Sequence, residues 1–400
     1  MASSPASTSS TSPLDIAAIR ADTPACADVT HLNNAGSALP PTVVTDTTIG
    51  YLTEEARLGG YEMVRAYNDT YDAGYAEGAR LFGCEPDELA IVESATRAWS
   101  AAFTSLRFER GDRILTGRSE YVSNAFALLR AREVFGVEID VIDDDETGAI
   151  DLAALRNHID DRTKLIALTH VPTGGGLVNP AAAVGAIANE AGVMYLLDAC
   201  QSVGQLPIDV EEIGCDMCSF TGRKYLRGPR GTGGLIVRHA ALEKLGTPTG
   251  LDGGGAIWTA PLDVALLPNA RRFEPFEVNF AGKAGLFAAF AYVNELGIDA
   301  ISERTIALGA ELRSLLSDRP GITVQDKGAE KCGIVTFEVA GRDPKDIVTD
   351  MEQHAINVSA TTVDSARFDF PQRGIESLVR ASVHYYNTSE ELERLVTALG

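Results

Sequence analysis

Between about residues 85 and 240 the chain alternates short apolar runs with stretches of helical spacing. The runs at 89–93, 113–116, 137–142, 165–169, 193–197, 216–221 and 234–237 read as strands. A helix is predicted over 95–108, and another apolar helical stretch ends near Val134. The runs at 165–169 and 193–197 are apolar without a break, which suits strands buried on both faces of a parallel sheet. Such alternation predicts an α/β domain with right-handed crossovers. Residues 280–317 carry Ala-rich and Leu-rich helical spacing that leads out of this domain. Beyond them, strands at 323–324, 334–337 and 378–381 and a helix near 345–354 predict an α+β unit. The expected division is a disordered tail at 1–13, an N-terminal segment at 14–60 packed near the active site, a large α/β domain at 61–290 and a small α+β domain at 291–400.

Composition narrows the class. A chain of 400 residues can bury the cores of a large and a smaller domain. No run of 18 apolar residues occurs, so no membrane span is expected. The Ser/Thr/Ala/Pro-rich start lacks the basic and apolar regions of a secretory signal. Six scattered cysteines suggest no disulfide framework, which fits a cytoplasmic protein. A net charge of −22 argues against nucleic acid and anionic membranes as partners. An anionic cofactor would then need a local positive site, built from helix N-termini and a few basic side chains.

Three features fall where strands end, which is where open α/β sheets bind ligands. The first is 93–98, Glu-Ser-Ala-Thr-Arg-Ala, at a strand-to-helix turn. Its backbone N–H groups and the Thr96 hydroxyl suit a phosphate, although a plain N-cap explains the same residues. The second is Asp198, directly after an apolar strand. A buried carboxylate there needs a partner, such as a protonated pyridine nitrogen, unless it is only a capping residue. The third is 220–233, in which Lys224 follows small residues at a strand end and precedes a glycine-rich segment. A Schiff-base lysine requires that kind of fixed, pKa-lowering setting, and a basic surface loop is the competing reading.

Taken in order, these stretches resemble the class V aminotransferase-fold enzymes over roughly residues 30–400. The resemblance also rests on 31–36, Glu120-Tyr121, 169–171 and Arg380-Ala381-Ser382. It implies the type I fold of pyridoxal 5'-phosphate enzymes, with a large, mostly parallel seven-stranded sheet domain and a smaller α+β C-terminal domain. It implies that Lys224 carries the cofactor, Asp198 pairs with the pyridine nitrogen and Gln201 meets the phenolic oxygen. Ala95, Thr96, Thr221 and Arg223 would hold the phosphate, Tyr121 would stack on the ring, and Thr173 would complete the cofactor site. Arg380 would grip the substrate α-carboxylate, with Asn34 nearby, and Tyr61 is either a wall of the substrate site or a core aromatic. A homodimer with its active sites at the interface is implied too.

Within the family the chain departs from the desulfurase pattern. Desulfurases carry a sulfur-accepting cysteine ahead of the Arg380 segment, and 358–365 contains none. They also place His where this chain has Tyr121 and Arg223. The Gly222-Arg223-Lys224 run is more similar to the isopenicillin-N-epimerase-like and hercynylcysteine sulfoxide lyase branch. The expected function is therefore β-elimination through an external aldimine, cleaving a C–S bond of a cysteine S-conjugate or cysteine sulfoxide. Lys224 would be the base and Tyr121 the proton donor. An amino-acid epimerase or aminotransferase on the same scaffold is the alternative, and a non-catalytic scaffold protein is a further one. No metal site is expected. Cys215 and Cys218 form C-x-x-C, but strand alternation would send them to opposite faces.

Overall fold

The computed structural model describes residues 13–400. The tail expected at 1–13 lies outside the described residues except for Pro13. Seven strands form the main sheet, in the order Leu89–Val92, Gly233–Val237, Met217–Thr221, Met194–Asp198, Thr163–Thr169, Arg113–Gly117, Glu138–Ile142. Only Gly233–Val237 runs antiparallel to its neighbours. The central strands are apolar throughout because both faces are covered. Ile166, Leu197 and Phe220 enter one buried cluster, while Leu165, Leu196 and Met217 enter the other. The edge strand Leu89–Val92 has one free side, and the Glu274 carboxylate accepts the Ile91 N–H there at 2.7 Å. This satisfies a donor that would otherwise stay open for pairing with another chain.

Four antiparallel strands make a second sheet, ordered Ile322–Val324, Ile334–Val339, Ser377–Ser382, Ser359–Thr362. Helices Ile298–Ser317, Pro344–Gln353 and Ser389–Leu399 supply apolar residues to its core, among them Leu312, Met351 and Leu395. The N-terminal segment joins this layer. Thr30–His31 pairs in parallel with Ile356–Asn357, and Asn33 bridges to Ser382.

The predicted helical region 280–317 is two helices, Phe280–Leu296 and Ile298–Ser317, that meet at 83°. Gly297 makes the corner with φ 84°, a left-handed conformation that favours glycine. Among the described residues no single helix is long and apolar enough to cross a membrane.

After the turn at Gly253–Gly255 a β-hairpin follows, Ala256–Ala260 with Asp263–Leu266, which the sequence reading did not include. One expectation needs correction. Cys215 precedes the strand Met217–Thr221, so strand alternation does not apply to it. Its thiol and that of Cys218 enter the same apolar cluster, and both cysteines are free. Among the described residues, no group of three or more His, Cys, Asp or Glu is arranged to hold a metal.

Helix Ala181–Ala191 approaches the 210–214 turn at Gly185, where a Cβ would stand 1.8 Å from the Ile213 carbonyl oxygen. Backbone must move to admit it. Gly185→Ala is expected to destabilise the chain by about 1–3 kcal/mol, the usual cost of overpacking, as measured by urea unfolding. Unchanged stability would show that this contact gives way easily.

Candidate active site

Four of the seven main-sheet strands deliver residues to one cavity of about 300 Å³, at the lower end for small-molecule sites. Strand Met194–Asp198 brings Asp198, and Met217–Thr221 brings Thr221 and, just beyond it, Arg223 and Lys224. Leu89–Val92 leads into Ser94, Ala95 and Thr96, and Arg113–Gly117 leads into Tyr121. All seven of the predicted residues Ala95, Thr96, Tyr121, Asp198, Thr221, Arg223 and Lys224 line it.

Each of the charged groups has a physical peculiarity. Lys224 is buried, and its ammonium donates to Cys200 Sγ at 3.3 Å. Burial, then the neighbouring Arg223, push its pKa below the ordinary lysine value, while Cys200 and Asp198 pull the other way. Asp198 is buried too, and burial raises its pKa against the hydrogen bonds it accepts. Those come from Asn124 Nδ2 at 2.8 Å and the Cys200 N–H at 2.9 Å. Among the described residues it has no salt-bridge partner.

At another part of the lining, Ser94 caps helix Ala95–Thr104 by accepting the Arg97 N–H at 3.3 Å. The first-turn N–H groups of that helix have no partner within the helix and lie at the positive end of its dipole. Arg223 donates to Thr221 Oγ1 at 3.2 Å. Arg230 also lines the cavity, a cation that the sequence reasoning did not assign.

Arg380 and Gln201 are joined through Thr173. Thr173 Oγ1 accepts from Arg380 Nη1 at 2.7 Å and from Gln201 Nε2 at 3.3 Å. Gln201 also donates to the Ala35 carbonyl at 3.1 Å. Thr173 is thus a bridge between two other site residues and does not line the cavity itself. Arg380 has no carboxylate partner among the described residues, and its Nε is buried without a hydrogen bond. The Gln201 Oε1 atom is likewise buried and unpartnered.

Two assignments do not hold. The Asn34 side chain is spent within the protein: its amide nitrogen donates to the Ser382 carbonyl at 2.7 Å and its oxygen accepts from the Tyr386 hydroxyl. Its neighbour Asn33 faces the site instead, accepting from Arg380 Nη2 at 3.3 Å. Tyr61 stands 66% exposed on helix Gly60–Ala66 and lines none of this cavity, so it is neither a core aromatic nor a wall of the site within this chain.

The sequence reasoning missed Asn33, Asn124 and the Lys224 contact of Cys200. Asn124 had a readable signal. It lies in the first turn of helix Val122–Phe135, four residues after Glu120, which precedes the N-cap Tyr121.

The residues present fit pyridoxal phosphate. A lysine of lowered pKa, a buried carboxylate for a ring nitrogen and a helix N-terminus with a basic side chain for a phosphate surround one space of fitting size, and Gln201, with an orphaned buried oxygen, follows Cys200 of its lining. A free guanidinium for a substrate carboxylate sits close by.

The Lys224 loop is anchored by His384. Its Nε2 meets the Tyr225 carbonyl at 2.9 Å and its Nδ1 meets the Tyr385 N–H at 3.0 Å, a pattern that only the neutral ring satisfies. Burial, then the nearby Arg227, push its pKa well below 6.5. Buried His170 is pushed down to about 4. The unfolded chain therefore binds more protons at acid pH, and stability falls as pH drops below about 6.5. Urea unfolding is expected to show this slope, and His384→Gln to flatten it. An equal slope in both proteins would refute the assignment.

The chain was compared with known proteins. The family described as "Aminotransferase class-V" matches residues 30–395. A probable cysteine desulfurase of Methanothermobacter thermautotrophicus is 30% identical over 383 residues, covering 94% of this chain and 95% of that protein. One from Xylella fastidiosa is 32% identical over 378 residues, covering 92% and 89%. The apo structure of a cysteine desulfurase from Thermococcus onnurineus NA1 superposes with a TM-score of 0.87 at 25% identity, covering 95% of this chain and 96% of that one. With the family matched across nearly the whole chain and a site that fits the cofactor, this protein belongs to the class V aminotransferase family of pyridoxal-phosphate enzymes.

Proposed function

We propose that the protein is a C–S lyase that cleaves the Cβ–S bond of a cysteine S-conjugate or cysteine sulfoxide by β-elimination. One observation carries the choice. Strand Ser359–Thr362 pairs with the strand bearing Arg380, Ser359 opposite Arg380 itself, and the 358–365 stretch has no thiol to accept sulfur. Cys332 cannot serve instead, because it is fully buried and burial raises its pKa to about 11. The relatives' name, cysteine desulfurase, supports C–S chemistry on cysteine as the broader activity.

Bound pyridoxal phosphate supplies an electron sink for the pair left when the Cα proton departs. Arg380 holds the α-carboxylate with a fork of donors. The Lys224 amine, whose pKa burial lowers, takes the Cα proton. Tyr121 at the cavity wall returns a proton to the sulfur as the Cβ–S bond breaks. With one water consumed, the products are a thiol (from a sulfoxide, a sulfenic acid), pyruvate and ammonium.

The relatives favour a second reading, desulfuration of free cysteine, in which Cys200 beside Lys224 accepts the sulfur. The same assay separates the two. With S-alkyl cysteines and their sulfoxides, pyruvate and the sulfur product should form in equal amounts, and Lys224→Ala should slow this about 10²–10⁴-fold. Alanine from free cysteine, lost in Cys200→Ser, would replace the lyase reading with the desulfurase one. Keto acid formed together with the amine form of the cofactor would indicate an aminotransferase, and loss of optical activity alone would indicate an epimerase.

We also propose a homodimer with the sites near its interface. The hairpin exposes Leu262 at 97% and Trp258 at 79%, with Ile257 and Val264 beside them. Clusters of exposed apolar residues of this kind mark contact surfaces. Sedimentation equilibrium should give twice the chain mass at micromolar concentration, whereas a monomer would refute the proposal.

A further inference from the structure

Glu120 is a buried carboxylate that takes no part in the chemistry above. It has no salt bridge among the described residues, yet it is surrounded by donors. Its Oε1 accepts from the Tyr121 N–H at 2.7 Å and from Asn124 Nδ2 at 2.9 Å, and Thr169 Oγ1 also donates to it. Its Oε2 accepts from Thr116 Oγ1 at 2.8 Å. Amide N–H groups can only donate, so Oε1 is held as an acceptor, while the Thr116 hydroxyl at Oε2 can donate or accept. Burial raises the Glu120 pKa above the usual carboxylate range, Asp198 nearby adds to this, and the hydrogen bonds oppose it only in part.

The same Asn124 nitrogen donates to Asp198 Oδ2 at 2.8 Å. An amide nitrogen has two hydrogens, and here each goes to a different carboxylate. Glu120 therefore fixes which way the Asn124 amide faces, and Asn124 fixes Asp198. The backbone N–H that Glu120 accepts belongs to Tyr121, the other side chain assigned to the ring. Lys224 acts on the Asp198 charge directly and Asp198 on Cys200, and the other charged or titratable groups lining the cavity are Glu93, Tyr121, Arg223 and Arg230.

We propose that Glu120 is a positioning residue that orients both Asp198 and Tyr121 and, by holding Asp198 in place through Asn124, helps keep the cofactor's ring nitrogen protonated. A nearby anion stabilises a cation, and it does so only while it is held against it. The proposal rests on the assignment of Asp198 to the ring nitrogen and is independent of which reaction the enzyme performs.

The test uses the holoenzyme reconstituted with cofactor labelled with ¹⁵N in the ring. In Glu120→Gln the ring-nitrogen resonance should move toward its unprotonated position, with its pKa lowered by about one unit. Circular dichroism would verify the fold. Asn124→Ala, which cuts the bridge but keeps both carboxylates, should also move the resonance, and it decides the matter if Glu120→Gln does not fold. Asp198→Asn is run alongside. If it moves the resonance while the folded Glu120 and Asn124 variants do not, the proposal is overturned. If none of the three moves it, the proposal falls together with the Asp198 assignment.

Discussion

An uncompensated carboxylate at the end of an apolar strand is the constraint around which this site is arranged. Strand Met194–Asp198 is buried along its whole length, and Asp198 ends it without a salt bridge among the described residues. Water cannot solvate the charge there, so the protein must. It does so with the Asn124 amide and the Cys200 N–H, which leaves acceptor capacity toward the cavity. The same holds in mirror image for Lys224 and Arg380, basic groups buried without a salt bridge among the described residues. Each is costly alone, and together they describe a ligand that has a cationic ring edge and whose substrate has an anionic end. The site thus holds charges that the cofactor and substrate would complement.

Holding those charges in register requires contacts between the two sheets. Arg380 belongs to the small sheet, yet its guanidinium bonds to Thr173, which follows a strand of the large one. Arg227 makes a second tie. It is buried with a left-handed backbone, φ 61°, and meets no carboxylate. Its partners are the Leu39 carbonyl, the hydroxyls of Thr23 and Tyr385, and the faces of Tyr385 and Tyr386. Aromatic faces and hydroxyls stabilise a buried guanidinium without neutralising it. The loop after Lys224, the N-terminal segment and the C-terminal layer therefore converge on one cation, and displacement of any of them would leave that charge poorly solvated.

These dependencies decide how much was legible in the sequence. The central strands of the main sheet announced themselves because burial on both faces favours apolar runs, whereas the edge strand Glu138–Ile142, only partly buried, was readable from its alternating Ile and Val. Lys224 and Asp198 were readable because strand ends and glycine-rich turns are local signals. Asn33 was not distinguishable from Asn34, since only the small sheet's position shows which amide Arg380 can reach. Tyr61 failed for a related reason: an aromatic on a short helix has no local mark of whether it faces a core, a cavity or solvent. The hairpin at 256–266 was obscured because its residues are largely exposed and lack a clean alternation. Cys215 lies before both the expected strand at 216–221 and the observed Met217–Thr221, so an argument from alternation did not apply to it.

Net charge sharpens the electrostatic problem at the phosphate end. A chain carrying −22 repels a dianion at long range, so binding depends on what happens within a few ångströms of the site. Salt screens the distant surface carboxylates far more than it screens groups inside a cavity. The helix N-terminus at Ala95, Arg223 and Arg230 are all local. Ala95 is buried and Arg223 half-buried, where a hydrogen bond counts for more than in open solvent, while Arg230 reaches the cavity from an exposed position. The surface and the site can therefore have opposite signs without conflict. An acidic exterior keeps polyanions away, while a recessed set of donors selects an anion small enough to enter.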